Sequence, residues 1–344
     1  MRSPAGGWDL PVVVGVVAWW LGQHVPVIGA PVLGILFGLF IGQFAGQPAA
    51  WERGTQFHAN RVLQASIVLL GAGMSLGQIA EIGGAGLPVM LGTIVVAVAS
   101  GLLLIRVLKI DRETGILVTY GTTICGASAI ATMSQVIKAR ATAIAVSVAV
   151  IVLYNVLAAL AFPALGLSRG FTPETFGLWA GTAVNDTSSV VAAATSFDAQ
   201  LIATGAVVGP VAASAYAVVV KLTRTLMLIP LAVFQQWFGN RSLPEGERGT
   251  AAWWRMVPGF LVLFLLAAAL RTVGAIPDAA GPWLKTAAHL GTTIAMTAVG
   301  MSSSLRAIRA AGWRPLALGG ILWALVALTA LGLQAATGQL QFLR

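Results

Sequence analysis

Cysteine is almost missing from this 344-residue chain: there is one, Cys125. That excludes an intrachain disulfide framework and any thiolate metal cluster. Histidine is nearly as scarce, and His24, His58 and His289 are too far apart to make a ligand motif. Charge is scarce as well. Asp, Glu, Lys and Arg make up 9% of the residues, where soluble domains hold about a quarter. The 20 bases outnumber the 11 acids, but they stand singly between apolar runs, without a basic stripe or interleaved aromatics. Nucleic acid is therefore excluded as a partner. No nucleotide loop, nucleophile elbow or paired catalytic constellation is present, so no catalytic residue and no cofactor are assigned and an enzyme is not expected.

What the chain has in excess is hydrocarbon: 58% of its residues are hydrophobic and its mean hydropathy is +0.88. A bilayer solvates such a surface, and water does not. The expected fold is an all-α polytopic membrane protein with about eleven spans at roughly 20 residues per crossing. They are expected near 10–24, 27–46, 62–80, 87–108, 114–137, 141–162, 174–196, 203–235, 256–276, 283–305 and 313–335. The start lacks a small-residue cleavage pattern, so the first is read as an uncleaved span. Lys and Arg fall unevenly on the two sets of loops that this count defines. Arg2, Arg53, Arg61, Arg106, Lys109, Arg112, Arg169, Arg241, Arg248, Arg255, Arg306, Arg309 and Arg314 share one side. Lys138, Arg140, Arg271, Lys285 and Arg344 share the other. The richer side is expected to be cytoplasmic, with the N-terminus, and the C-terminus periplasmic.

Gly121-Thr122-Thr123-Ile124 in span five returns as Gly291-Thr292-Thr293-Ile294 in span ten. Five spans apart, the two cross in opposite directions. Residues 27–162 and 174–335 would then be two inverted five-helix repeats within a single transporter domain, with 10–24 as an extra helix. Each copy opens a run of small and hydroxyl residues, which either packs closely or breaks and presents N–H and C=O groups to a ligand. A third such stretch, Gly181 to Val190, contains Asn185-Asp186-Thr187-Ser188, and Asp186 is the carboxylate placed deepest in a span. An acid there is a candidate for carrying Na⁺ or a proton, or else is glue hydrogen-bonded to its hydroxyl neighbours. Lys221 and Arg224, three residues apart, share a helix face. They could bind an anion, pair with Asp186 or snorkel to the interface.

In order along the chain, VLLGAGMSLGQI, GTTICGASAIAT, WAGTAVNDTSSVVAAA and KLTRTLMLIP resemble the YeiH-like sulfate exporter family. The resemblance runs from about Pro31 to the last span. The family is grouped with the bile-acid symporters and sodium/proton antiporters. It implies a core domain with two crossed, broken helices, a panel or scaffold domain, often an elevator-like movement, secondary transport and a bacterial inner-membrane location. Many relatives carry a His-Glu pair where this chain has Asn185-Asp186, so a paired proton relay is not implied here.

The reading that follows is a secondary active transporter of a small anion, sulfate or an organosulfonate, with export favoured. Thr122, Thr123, Cys125, Ser128, Thr292 and Thr293 would line the crossing, and Lys221 and Arg224 would attract the anion. Asn185, Asp186, Thr187 and Ser188 would carry H⁺ or Na⁺. No structural metal site is expected. The partners are the solute and the bilayer, and a homodimer is compatible with the reading. The nearest rival is a cation/proton antiporter with Asp186 as sole carrier; an ion channel or an intramembrane enzyme stand further off.

Overall fold

Inside a bilayer every backbone hydrogen bond has to be closed by the chain itself, and helices close them locally. The computed structural model describes residues 5–24, 29–45, 49–205, 211–240 and 258–343, and among them the fold is all-helical, with one isolated bridge between Phe171 and Phe342. The helices are α1 (Ala5–His24), α2 (Ala30–Ala45), α3 (Ala49–Phe57) and α4 (Leu63–Gly71), the last two joined by a π turn at His58–Val62. Next come α5 (Leu76–Val107), α6 (Arg112–Thr123), α7 (Ala127–Val136), α8 (Ala141–Ser168), α9 (Pro173–Ala183) and α10 (Thr187–Ala203). The chain closes with α11 (Ala213–Leu226), α12 (Leu228–Asn240), α13 (Gly259–Thr272), α14 (Gly281–Ser302), α15 (Leu305–Ala310) and α16 (Trp313–Ala336). Among the described residues, four stretches are long and apolar enough to cross a membrane: Leu76–Val107, Ala141–Ser168, Ala213–Gln235 and Trp313–Ala336.

Local chemistry moves several expected boundaries. The third span was expected at 62–80 and the fourth at 87–108. The chain instead turns at residues 72–75, where Ser75 and Gln78 form a reciprocal capping box that starts α5. Span ten was expected to break at its GTTI sequence, yet α14 is continuous from Gly281 to Ser302. The Thr292 and Thr293 hydroxyls bond the carbonyls of Ala288 and His289 one turn back, so the helix needs no break to satisfy them. The run from Leu201 to Phe234 is longer than one crossing needs, which predicts a break at Gly209-Pro210; that position lies outside the described residues.

The largest departure concerns spans five and seven, which were expected to cross the membrane. Each is a pair of helices folded back on itself. Arg140, at the start of α8, pairs with Asp111 at 2.7 Å and Glu113 at 3.1 Å, both at the start of α6. The Ser147 hydroxyl of α8 also donates to the Thr114 carbonyl of α6. The chain thus leaves α7 at the end of the bundle where α6 began. Burial nudges the Asp111 carboxyl up, but hydrogen bonds from Thr114 and the Arg140 charge outweigh it and hold it below the ordinary carboxylate value. That contribution is present at neutral pH and is lost as pH falls through the lowered value; at this exposure it is small.

The second hairpin, α9–α10, closes in the same way. Phe176 and Phe197 stack at 4.0 Å across it. Gly177 of α9 lies against Ala213 and Tyr216, and Asp198 of α10 accepts from the Ala213 and Ser214 N–H groups at 2.8 and 2.9 Å. Both arms therefore meet the start of α11. The first hairpin enters from the end that holds Lys109 and Arg314. The second enters from the end where Thr172 and Thr175 bond the C-terminal segment at Gln339 and Gln341. Folding back also moves Lys138 and Arg140 to the end shared by Arg106, Lys109 and Arg112, and moves Arg169 to the opposite end, which sharpens the charge asymmetry.

Around the hairpins, α5, α8, α11 and α16 form one bundle. Beside it, α2 and α14 run parallel with backbones nearly touching. A methyl at Gly34, Gly38 or Gly42 would collide with α14 at Thr293, Thr297 or Met301. Helices α1, α3, α4 and α13 complete this second group.

The fold-back is testable with thiols in a Cys125→Ala background, which removes the one native cysteine. Arg112→Cys and Lys138→Cys should react with an impermeant maleimide from one face of the membrane. Arg169→Cys and Thr204→Cys should react from the other. Reaction of the 112 and 138 positions from opposite faces would restore a crossing.

Candidate functional site

A helix that stops in an apolar interior leaves peptide groups without partners, and those groups must be satisfied or offered to a ligand. Two such stops face each other here. Helix α6 ends at Thr123 and α7 starts at Ala127; α9 ends at Ala183 and α10 starts at Thr187. Aligned tip to tip, Gly121-Thr-Thr-Ile-Cys-Gly-Ala-Ser128 and Gly181-Thr-Ala-Val-Asn-Asp-Thr-Ser188 share their first Gly-Thr and their last Ser. The tip that faces GTTI at residue 121 is thus the stretch at residue 181, in the opposed hairpin.

The tips meet. A Cβ added to Gly126 would sit 3.0 Å from the Asp186 Cβ. Gly126 has φ +65° and ψ −128°, a backbone open to glycine and closed to residues with a side chain. Carbonyl ends of the half-helices carry partial negative charge, and α11 supplies the answer. The Lys221 ammonium donates to the Ile124 carbonyl at 2.7 Å and to the Val184 carbonyl at 2.8 Å, one from each tip. Arg224 Nε donates to the Thr123 carbonyl at 2.6 Å, and its Nη1 to the Thr93 hydroxyl of α5 at 2.8 Å. Both cations are fully buried. The three-residue spacing does place them on one face, and that face is turned to the tips.

The N-terminal ends of the half-helices carry partial positive charge and are treated unequally. Asp186 caps α10: its Oδ2 accepts from the Ser188 N–H at 3.1 Å and from the Ser188 hydroxyl. Its own N–H donates to Asn155 Oδ1 of α8 at 3.2 Å. No side chain caps α7, where Gly126 holds the equivalent position. Ala127 and Ser128 there are exposed, and Asp186 and Thr187 are half-buried. Behind the junction, the Thr122 hydroxyl, both side-chain polar atoms of Asn185 and Arg224 Nη2 are buried without a hydrogen-bond partner among the described residues. Cys125 is buried beside them. No ion pair within 4.0 Å joins Asp186 to either cation. No cluster of three or more metal-ligating side chains occurs among the described residues.

Of the residues expected from sequence, Thr122, Thr123, Cys125, Ser128, Asn185, Asp186, Thr187, Ser188, Lys221 and Arg224 gather at this junction. Thr292 and Thr293 lie on α14, where Thr293 packs against Gly34 of α2. Sequence reading missed Asn155, Thr93, Gly126 and Asp198. Asn155 was visible as a lone amide in a long apolar helix; Thr93 and Asp198 act on segments far away in sequence and left no local signal.

Gly126→Ala should lower the melting temperature in detergent more than Gly170→Ala does. Both glycines have φ +65°, but a Cβ at Gly170 meets open space, whereas at Gly126 it meets Asp186. The strained backbone costs about 1–3 kcal/mol, and the crowding at residue 126 adds to it. Equal shifts would show that the tips are not in contact.

Comparison with known proteins places the whole chain. The family model described as conserved hypothetical protein 698 matches residues 7–319. A UPF0324 membrane protein of Streptococcus mutans is 36% identical over 335 residues, 95% of this chain and 96% of the relative. Another from Streptococcus pneumoniae is 36% identical, covering 95% of each chain. A third, from Streptococcus agalactiae, is 34% identical over 96% of this chain and 97% of its own. No solved structure matches. With its apolar helices and end-to-end similarity to these relatives, the chain belongs to the YeiH-like UPF0324 family of membrane proteins.

Proposed function

We propose that the tip-to-tip junction is the binding station of a secondary active transporter for a small anion, with sulfate or an organosulfonate as the cargo and export as the favoured direction. One observation carries the reading: at the junction two fully buried cations, Lys221 and Arg224, stand against one carboxylate, Asp186. The half-helix dipoles, two carbonyl ends and two N–H ends, cancel to first order. The residue is one positive charge in a low-dielectric interior, which favours an anion. Lys221 and Arg224 act through the carbonyls they hold and through their field. Direct ligands would be the open N–H groups of α7, Ser128, Thr122 and Asn185. Asp186, with Asn185, Thr187 and Ser188, takes up H⁺ or Na⁺ as the coupling ion. The end rich in Lys and Arg, with the N-terminus, is cytoplasmic, and the membrane is the bacterial inner membrane.

A cation/proton antiporter is the second reading. It is favoured by the partial exposure of Asp186 beside two cations already engaged with carbonyls. Cation-dependent proton movement without any anion would choose it.

In proteoliposomes, uptake of labelled sulfate or taurine should follow an imposed proton or sodium gradient, and Asp186→Asn should abolish that dependence. Anion flux indifferent both to Asp186→Asn and to collapse of the gradients would sink the coupling assignment. Lys221→Met should reduce the initial rate at least about tenfold and lower the melting temperature, because each hydrogen bond to a charged donor contributes about 1.5–3 kcal/mol. A variant of wild-type rate would show that the tips do not depend on the ammonium.

A further inference from the structure

A second polar feature lies far from the hairpins, where α3 enters the bundle beside the start of α1. A shallow recess of about 620 Å³, open to the outside, lies there, lined by Trp8, Arg53, Gln56, Phe57, Asn60 and Arg61 among others. Arg53 and Arg61 are exposed, and neither guanidinium has an ion pair or a hydrogen bond to a described residue. The nearest acids along the chain, Asp9 and Glu52, are not part of the lining, and Glu52 accepts from Gln56 at 3.0 Å.

Two local features build the recess. Positions eight apart on an α-helix diverge by about 80° at 100° per residue. The π turn at His58–Val62 is wider, and it draws Arg61 back toward the face of Arg53. His58, inside that turn, is buried and bonds the Gly54 carbonyl at 2.8 Å, which holds the turn in place. The Trp8 ring then closes one wall, 5.1 Å from Phe57 and 6.1 Å from His58.

Gln56 and Asn60 use their amide donors within the helix, on Glu52 and on the Gln56 carbonyl, so the charged donors left free in the lining are the two guanidinium groups. The recess lies at the end of the bundle that carries Arg106, Lys109, Arg112, Arg140 and Arg314, the end where anionic headgroups are attracted. Below Trp8, the outward face of α1 turns apolar: Val12, Val13, Val16 and Val17 are all exposed. A ligand matching both parts has an anionic head, a polar body and a hydrocarbon tail. We propose that this recess binds the phosphate headgroup of an anionic phospholipid between Arg53 and Arg61, with acyl chains along the α1 valines. The guanidinium forks suit phosphate oxygens, and Trp8 sits at headgroup depth, where indoles are favoured.

The test uses delipidated full-length protein, native mass spectrometry and thermal melting, with phosphatidylglycerol, phosphatidylcholine and free glycerol 1-phosphate as probes. Phosphatidylglycerol should be retained and should raise the melting temperature, while phosphatidylcholine does neither and glycerol 1-phosphate fails to displace it. Arg53→Gln/Arg61→Gln should weaken phosphatidylglycerol retention roughly 30-fold, as expected of two arginines near an anionic surface. The exposed pair Arg306→Gln/Arg309→Gln, at the same end, should leave it unchanged; both double variants should elute as wild type. Equal retention of the two lipids, equal loss in both double variants, or displacement by glycerol 1-phosphate would each overturn the proposal. The last would mark a soluble phosphate site instead.

Discussion

One ammonium group holds the centre of this protein together. Two chain reversals deep in an apolar bundle leave peptide carbonyls with no helical partner, and Lys221 donates to one carbonyl from each reversal. Taking an ammonium out of water costs several kcal/mol unless its protons are well used. Here they are used on the ends of two half-helices, where partial negative charge gathers. Arg224 extends the same service to Thr123 and ties it to α5 through Thr93. The placement of Asp186 against Gly126, and with it the shape of the junction, follows from the tips being held in register.

That arrangement separates two tasks which a sequence merges. Lys221 and Arg224 read naturally as anion ligands, since cations in a membrane helix call for a counter-charge. The counter-charge here is a set of backbone carbonyls, which no sequence pattern displays. What remains open to a ligand is the other polarity: the uncapped start of α7, with Ser128 exposed, beside a carboxylate already capping α10. The two tips differ in their capping: Gly126 leaves the start of α7 without a side-chain cap, while Asp186 caps the start of α10.

Much of this was legible beforehand because hydrophobic run length and small-residue density are local signals. The helical class, the membrane character, and the stretches 121–128 and 185–188 with Lys221 and Arg224, which the structure gathers at one junction, all came from such runs. The fold-back was not legible. A 25-residue apolar stretch with a glycine break reads the same whether it crosses or returns, and the deciding contact, Arg140 with Asp111 and Glu113, joins residues more than two dozen positions apart. The break expected at the second GTTI left no sign either: in α14 it satisfies its hydroxyls one turn back and the helix runs on, while the tip that meets Gly126 is that of Asp186. The division of Lys and Arg between the two ends changes little, because reading two hairpins as crossings displaces only the loops between them.

Helix α16 touches both hairpins, and its length then takes on a meaning of its own. It starts near Lys109 at the base of the first hairpin and ends beside Thr175 at the base of the second. Its 24 residues measure about 36 Å at 1.5 Å per residue, and the entering arms, α6 with 12 residues and α9 with 11, together measure about 35 Å. The helix sets the separation of the two bases, and arms of this combined length reach across it, so the meeting of the tips is dimensioned from the outside of the bundle as well as bonded at the centre.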